Sequence, residues 1–165
     1  KEQAARKFTV TGILLDAGNP GMDFSLMPFC QKIYRTSELA GDEIMQSMIT
    51  QYLASTNAVT LDGKLLFVDG CGNRTAAIAF GPERVILVIG KNKLVDDEKA
   101  AVLHIRTEAC PLNARRLNLR TPCALTGSCT DCVSEQRMCN VFLMLERCPN
   151  SHPVEVILVD VELGF

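Results

Sequence analysis

The chain has 165 residues, a formal net charge of −2, 5% aromatic residues and no Trp, a composition that does not favour a nucleic-acid-binding surface. No apolar run approaches the ~20 residues that cross a bilayer, and no apolar stretch of signal-peptide length follows the first residues. We therefore expect a cytoplasmic, single-domain protein without a membrane span, whose eight cysteines stay reduced.

The predicted elements alternate between helices and strands. Apolar residues at helical spacing predict a helix over 37–51, and a short strand follows over 51–55. Asp62-Gly63 lies between two β-rich runs and predicts a hairpin with a two-residue turn. Further along the chain we predict a helix over 72–80, a buried strand over 84–90, a helix over 95–109 whose far end Pro111 disturbs, and a last strand over 154–161.

This alternation predicts an α/β fold in which helices cover a mostly parallel sheet, with the β-hairpin as an antiparallel addition. The N-terminal residues 1–37 show no clear period, and "DAGNPGMDFSLMP" is predicted to be a loop.

The segment "DGCGNR", from Asp69 to Arg74, places two glycines between a strand and a helix. Gly70 and Gly72 allow the backbone to approach a ligand closely, and free N–H groups at a helix start can hold an anion. Asn73 and Arg74 add side-chain donors. The segment lacks the third Gly of the dinucleotide-binding fingerprint, so a plain strand-to-helix turn with a surface Arg is the alternative.

Two other polar groups are candidates for a binding site. Lys93, in "GKNKL", follows the buried strand, and ligands of open α/β sheets bind beyond the carboxyl ends of strands. Asn113, Arg115 and Arg116 could reach a ligand carboxylate, the alternative being a solvated helix face.

Four of the eight cysteines lie within seventeen residues and have the spacing C-x5-C-x2-C-x6-C: Cys123, Cys129, Cys132 and Cys139. Four thiolates satisfy tetrahedral zinc or an iron–sulfur cluster, although the spacing matches neither the ferredoxin run nor paired zinc knuckles. A redox dithiol at Cys129 and Cys132 and a set of unliganded thiols are the alternatives. The scattered cysteines, Cys30, Cys71, Cys110 and Cys148, are interpreted as small packing residues.

These motifs, in this order, resemble the LUD-domain (lactate utilization) family over residues 38–165. The resemblance is carried by T-N-A, D-G, D-G-x-G-N-R, F-G-P, G-x-N-K, P-x-N-A-x-R, T-P-C, G-x-C-x-D-C, C-N and L-G-F. It implies a fold similar to the NagB/RpiA/CoA-transferase superfamily, a three-layer α/β/α arrangement. It also implies a link to bacterial oxidation of L-lactate to pyruvate beside iron–sulfur oxidoreductase subunits.

The resemblance groups the polar candidates into one pocket for a small anionic metabolite, such as a carboxylate, a phosphate or a CoA ester. The implied ligand-binding residues are Asn57, Gly70, Gly72, Asn73, Arg74, Asn92, Lys93, Asn113 and Arg116. An isomerase or acyl/CoA-transferase-like enzyme is a second hypothesis, with Asp69 as the catalytic carboxylate. A non-catalytic ligand-binding module is the third. The sequence leaves open whether the protein is an enzyme, whether it holds zinc, an iron–sulfur cluster or no metal, and whether it forms a homo-oligomer.

The family also has a Gly-rich loop between its first strand and the next helix. "KFTV" resembles that strand and "GILLDA" resembles that helix, and the two abut at Val10-Thr11. We expect the sequence to omit the loop at this point, the alternative being that the protein has lost it.

Overall fold

The computed structural model describes residues 13–15, 33–35, 51–80 and 82–165. Nine strands form two sheets within these residues, and four short α-helices accompany them. The predicted helix over 37–51 (apart from Gln51), the predicted loop over 16–28 and the Val10-Thr11 junction lie outside the described residues.

The larger sheet has five strands, and all of its described pairings are parallel. The predicted buried strand over 84–90 is confirmed, and it lies second from the edge. The run of apolar and β-branched residues suits this position because parallel strands are covered on both faces. In spatial order the strands are β2 (Ile33–Arg35), β1 (Ile13–Leu15), β3 (Gln51–Ala54), β6 (Arg84–Gly90) and β9 (Val154–Val159).

The smaller sheet contains the predicted hairpin. Strands β4 (Ala58–Thr60) and β5 (Leu65–Asp69) pair antiparallel, and β7 (Leu94–Val95) and β8 (Val141–Leu145) complete the order β7-β4-β5-β8. The predicted two-residue turn is wrong. The Thr60 N–H donates to the Lys64 carbonyl at 3.0 Å, so three residues form the loop. Gly63 takes φ +91° there, and a left-handed glycine ends such three-residue loops.

The helical segments follow the strands as predicted. Helix α1 (Asn73–Ala79) follows the Gly72 turn, and α2 (Glu98–His104) is capped by Asp97, whose side chain accepts from the Ala100 N–H at 2.8 Å. The predicted disturbance before Pro111 is a π-helical segment, Ile105–Ala109, which joins α2 to α3 (Cys110–Arg116). Pro111 itself lies in the first turn of α3, where a missing N–H is tolerated. A further short helix, α4 (Pro122–Thr126), precedes the cysteine run.

The expected helix at "GILLDA" is wrong for its central residues. Ile13–Leu15 form a strand that pairs in parallel with both β2 and β3. Three consecutive apolar residues suit the interior of a parallel sheet, whose two faces are both covered, as well as they suit a helix.

Strand β5 divides the hydrophobic core in two. Leu65 and Phe67 face a core that the two sheets share with α1, and Leu66 and Val68 face a second core under α2 and the π segment. Successive side chains of a β-strand point to opposite faces, and each face of β5 is covered by one of the two cores. The strand is therefore apolar throughout, until Asp69 at its end.

The mixed α/β fold with a mostly parallel sheet is thus the one predicted. None of the helices in the described part of the chain is long and apolar enough to cross a bilayer.

A substitution at Gly90, at the end of β6, tests how closely the C-terminal residues pack against this strand. A Cβ at this position would overlap the Leu163 amide nitrogen and the Asn92 Oδ1, and would lie 2.9 Å from the Val161 carbonyl oxygen. We expect Gly90→Ala to lower the free energy of unfolding by about 2–3 kcal/mol, the cost of overpacking. Gly63→Ala is the control. No atom lies within 4 Å of a Cβ at this position, so we expect only the left-handed backbone to lower the free energy of unfolding, by about 1 kcal/mol. Equal losses of unfolding free energy in the two variants, measured by urea denaturation, would contradict this packing.

Candidate functional site

The candidate site lies at the carboxyl edge of the larger sheet. Strands β3 and β6 are neighbours and run in parallel, so the residues that follow them, Ser55 and Lys93, meet at one edge. The Lys93 Nζ donates to the Ser55 hydroxyl at 3.1 Å. This edge is where open α/β sheets bind their ligands.

Lys93 is almost fully buried, with 4% of its surface exposed. Burial, together with the positive charge of Arg74, lowers the pKa of Lys93 to about 8. Among the described residues, no carboxylate lies within ion-pair distance of Lys93, and its hydrogen-bond partner is the neutral Ser55 hydroxyl. Buried ammonium groups are normally paired, so the described residues by themselves leave the Lys93 ammonium without a counter-charge.

Arg74 is held by a network that begins at Asp69. Its Nε donates to the Asp69 Oδ1 at 3.1 Å, and its Nη2 donates to the Asn57 Oδ1 at 2.7 Å and to the Val68 carbonyl at 3.0 Å. The Val68 N–H also donates to the Asn57 Oδ1, at 2.9 Å. The network fixes the guanidinium beside the end of β5, close enough to Lys93 for its charge to act there.

Asp69 occupies the position that the sequence assigned to a bound anion. Its Oδ2 accepts from the Thr75 N–H in the first turn of α1 at 2.7 Å, while its Oδ1 accepts from Arg74. The Asp69 carboxylate therefore pairs with a free N–H group at the start of α1 and also neutralises the Arg74 guanidinium. Gly72, at φ +85°, makes the turn that allows this, and Asn73 begins the helix on the exposed side.

The C-terminal residues border the same edge. Asn92 accepts from the Leu163 N–H at 3.1 Å and donates to the Gly164 carbonyl at 3.0 Å. A Cβ on Gly164 would lie 3.5 Å from the Lys93 Nζ. Sequence reasoning did not single out Ser55 or Gly164 as site residues. The end of β3 was a usable signal for Ser55, because the neighbouring strand β6 is followed by the turn that contains Lys93.

Asn113 and Arg116 form a separate pair on α3. The Arg116 Nε and Nη2 donate to the Asn113 Oδ1 at 3.0 and 2.7 Å, and the Asn113 Nδ2 donates to the Met138 Sδ at 3.4 Å. Met138 in turn packs against Gly70. No described hydrogen bond joins Asn113 or Arg116 to Lys93 or Arg74, so direct contacts among the described residues do not bring these two pairs of predicted ligand residues together.

The cysteine run folds back onto α3 and the end of β5. Arg137 donates to the carbonyl oxygens of Cys132 and Cys139 at 2.6 and 3.3 Å, and the Asn140 N–H donates to the Asp69 carbonyl at 2.9 Å. The Thr121 hydroxyl lies 3.3 Å from the Cys123 Sγ, and the Asp131 N–H donates to the Cys129 Sγ at 3.4 Å. The loop is thus tied to the candidate site through Asp69.

Cys110 joins the clustered cysteines. It is buried at the start of α3, and burial with the nearby Cys139, Cys123 and Cys129 raises its pKa to about 12. The seven described cysteines are all free thiols. Cys71 and Cys148 are exposed, so the interpretation of these two as packing residues is wrong, and Cys30 lies outside the described residues. Within the described part of the chain, no group of three or more Cys, His, Asp or Glu side chains already has a metal-binding arrangement.

These features describe an α/β domain in which a buried lysine lies at the carboxyl edge of a parallel sheet, without a carboxylate partner among the described residues. The LUD domain family model matches residues 29–159, so the chain belongs to the LUD domain family, which is associated with lactate utilization. The predicted resemblance is confirmed.

A crystal structure of a DUF162 family protein from Deinococcus radiodurans is similar to this chain. The likeness covers 92% of this chain and 76% of that chain, with a TM-score of 0.51 and 13% sequence identity, and it shows a shared fold. No curated protein matches the chain.

The burial of Lys93 predicts a stability cost in the ligand-free protein. Because its folded-state pKa is lowered from 10.5 to about 8, folding disfavours the charged form below pH 8, and this cost disappears as the pH rises to 10.5. We expect Lys93→Met to raise the free energy of unfolding by about 2–3 kcal/mol at pH 7, and by much less near pH 10. Denaturant titrations at both pH values measure the difference.

Lys91→Met is the matched control for this measurement. Lys91 lies on the same turn but is half-exposed and pairs with Asp160 at the surface, 3.0 Å away, so its replacement should change stability little. A loss of stability in Lys93→Met at pH 7 would mean that a counter-charge already holds Lys93.

Proposed function

We propose that the protein is a lactate-utilization-type LUD protein that binds a small anionic ligand at Lys93 and Arg74. In this role it would be a component of the oxidation of L-lactate to pyruvate and would act beside iron–sulfur oxidoreductase subunits. Lactate and pyruvate each carry one carboxylate, and a carboxylate is the group that a buried ammonium lacks. Membership of the LUD domain family supports the link to lactate.

One observation carries the proposal, namely the buried Lys93 ammonium without a described carboxylate partner. A protein that leaves a cation buried and unpaired loses stability, and a bound anion recovers that loss as binding energy. The Ser55 hydroxyl, 3.1 Å from the Nζ, adds a group that can donate to the same anion.

Arg74 contributes differently from Lys93. Asp69 already neutralises its charge, and Asn57 and the Val68 carbonyl fix its orientation. A ligand would therefore meet a preorganised guanidinium that need not reorient on binding. Asp69 and Asn57 are positioning residues in this proposal, and Gly70 and Gly72 form the turn that brings Asp69 onto α1.

The proposal predicts anion binding that depends on Lys93. Isothermal titration of the wild-type protein with L-lactate, pyruvate and inorganic phosphate identifies which anion binds. We expect Lys93→Met to weaken binding of that anion by roughly 10–100-fold, because a charge-assisted hydrogen bond contributes about 1.5–3 kcal/mol. Lys91→Met should bind like the wild type, since that side chain points to the surface.

The affinity should also fall as the pH rises above about 8, because the ligand-free Lys93 then loses its proton. Lys93→Met should not show this fall between pH 7 and pH 9. Equal affinities in the two lysine variants would contradict the proposed site, and so would a wild-type protein that binds none of the three anions.

The alternative is an isomerase or acyl/CoA-transferase-like enzyme in which Asp69 is the general base. Both oxygens of Asp69 accept hydrogen bonds, from Arg74 and from the Thr75 N–H, which favours a fixed ion pair over proton transfer. Lys93 is the second candidate base, because its pKa of about 8 provides some neutral amine near neutral pH. A non-catalytic binding module would use the same contacts without turnover.

Asp69→Asn separates these roles once a turned-over substrate is known. If Asp69 is the base, kcat should fall by ~100-fold or more, since general bases contribute about that factor. Turnover that is unchanged in Asp69→Asn excludes Asp69 as the base. Binding of a ligand without any turnover in the wild type supports the non-catalytic module.

A further inference from the structure

Ser55 and Lys93 have a geometry that anion binding alone does not require. The Lys93 Nζ lies 3.1 Å from the Ser55 Oγ, a distance at which a proton can pass between an amine and a hydroxyl. Lys93 is almost fully buried, whereas Ser55 is partly exposed. A hydroxyl that a substrate can reach therefore lies beside an amine that is shielded from water, and these are the two parts of a covalent catalyst.

The surroundings of Lys93 differ from those of two other lysines. Lys64 forms an ion pair with Glu98, and such a partner keeps an amine protonated. Lys91 is paired in the same way with Asp160. The described residues place no carboxylate within ion-pair distance of Lys93. Burial lowers the pKa of Lys93 to about 8, so part of this amine is neutral near neutral pH.

The Ser55 hydroxyl is available to such a base. Its other described contact is a long hydrogen bond to the Thr56 carbonyl oxygen, at 3.4 Å. The neighbouring Thr56 hydroxyl is buried and lies 2.9 and 2.6 Å from the carbonyl oxygens of Ala58 and Leu66, so it is already occupied. Among the described contacts of Ser55, Lys93 is thus the group that can accept a proton.

We propose that Ser55 and Lys93 form a nucleophile–base pair that hydrolyses activated carboxylic esters. Ser55 is the nucleophile and Lys93 is its base, as in a serine–lysine dyad. The inference goes beyond the proposed function, because it concerns the neutral form of Lys93, whereas the ammonium form binds the anion. Asp69 takes no part in this chemistry.

The reaction has two steps that balance without an oxidant or a second substrate other than water. The neutral Lys93 amine accepts the Ser55 proton while the Oγ attacks the carbonyl carbon of the ester. The bond to the leaving-group oxygen breaks, that oxygen takes the proton from the Lys93 ammonium, and an acyl-serine remains. Water then gives a proton to Lys93 and attacks the acyl carbon, and the Ser55 Oγ leaves and recovers the proton. The products are an alcohol and a carboxylic acid.

Arg74 can stabilise the negative oxygen that forms in both steps. Its Nε and Nη2 donate to Asp69, Asn57 and Val68, but no described hydrogen bond uses its Nη1. Its charge acts at the Lys93 amine. Because these contacts already orient the guanidinium, it need not reorganise as negative charge develops on the substrate.

Labelling with a fluorophosphonate tests the nucleophile. This probe reacts with an activated serine, whose Oγ bonds to phosphorus while fluoride leaves. We expect one adduct per chain on the Ser55 peptide of the wild-type protein, detected by mass spectrometry, and none in Ser55→Ala. Ser128→Ala is the matched control and should be labelled like the wild type, because Ser128 is exposed and no described hydrogen bond joins its hydroxyl to a lysine.

The rate of labelling tests the base. Lys93→Met should slow labelling by ~100-fold or more, the contribution of a general base. Lys93→Arg should be equally slow, because a guanidinium keeps its charge and cannot accept the proton. The wild-type rate should rise with pH and level off above about pH 8, where Lys93 is neutral, in contrast to the expected fall in anion affinity.

Turnover of p-nitrophenyl acetate completes the test, since the wild type should release p-nitrophenolate repeatedly and Ser55→Ala should not exceed the uncatalysed rate. A wild-type protein without an adduct on Ser55 would overturn the inference, as would an unchanged labelling rate in Lys93→Met. Ser55→Ala should keep most of its anion affinity, because Lys93 still supplies the charge. A protein that binds an anion but is not labelled therefore contradicts only the dyad, and a labelled protein that binds no anion contradicts only the anion site.

Discussion

The buried ion pair of Asp69 and Arg74 is the contact on which the arrangement of this region depends. Asp69 ends β5, and its carboxylate joins that strand to α1 through the Thr75 N–H and to Arg74 through the Oδ1. Its carbonyl oxygen accepts from Asn140 and so holds the end of the cysteine loop. Arg74 then reaches Asn57 on the neighbouring segment. Removal of one partner would leave a buried charge, which is costly.

Two buried groups near this pair have shifted pKa values. On one side lies Lys93, a buried cation whose pKa is lowered and which lacks a described carboxylate partner. On the other side lies Cys110, whose deprotonation is opposed by burial and by the charges of neighbouring cysteines, so that its pKa is raised. Of the two groups only Lys93 carries a charge at neutral pH, and the proposed anion would supply the counter-charge that the described residues do not provide.

Local patterns predicted the elements well where a single period decides the structure. Strand β6 and helix α2 needed no tertiary information. The three-residue loop at Gly63 and the π-helical form of the segment before Pro111 were not predicted, because each depends on a small backbone adjustment that packing decides. Ser55 was missed as a candidate-site residue for a related reason, since two strands distant in the sequence bring it to Lys93.

The contacts of Asp69 show what spacing alone leaves undetermined. "DGCGNR" has glycines, donors and a helix start, which are the parts of an anion site, but its own Asp69 supplies the anion. In the proposed function the charge of the ligand is therefore met mainly by Lys93, which no described carboxylate neutralises. In a buried site a cation beside a satisfied ion pair attracts a ligand carboxylate more strongly than it would at the surface. The polar motif would thus orient Arg74, and Lys93, in the turn after β6, would provide the charge.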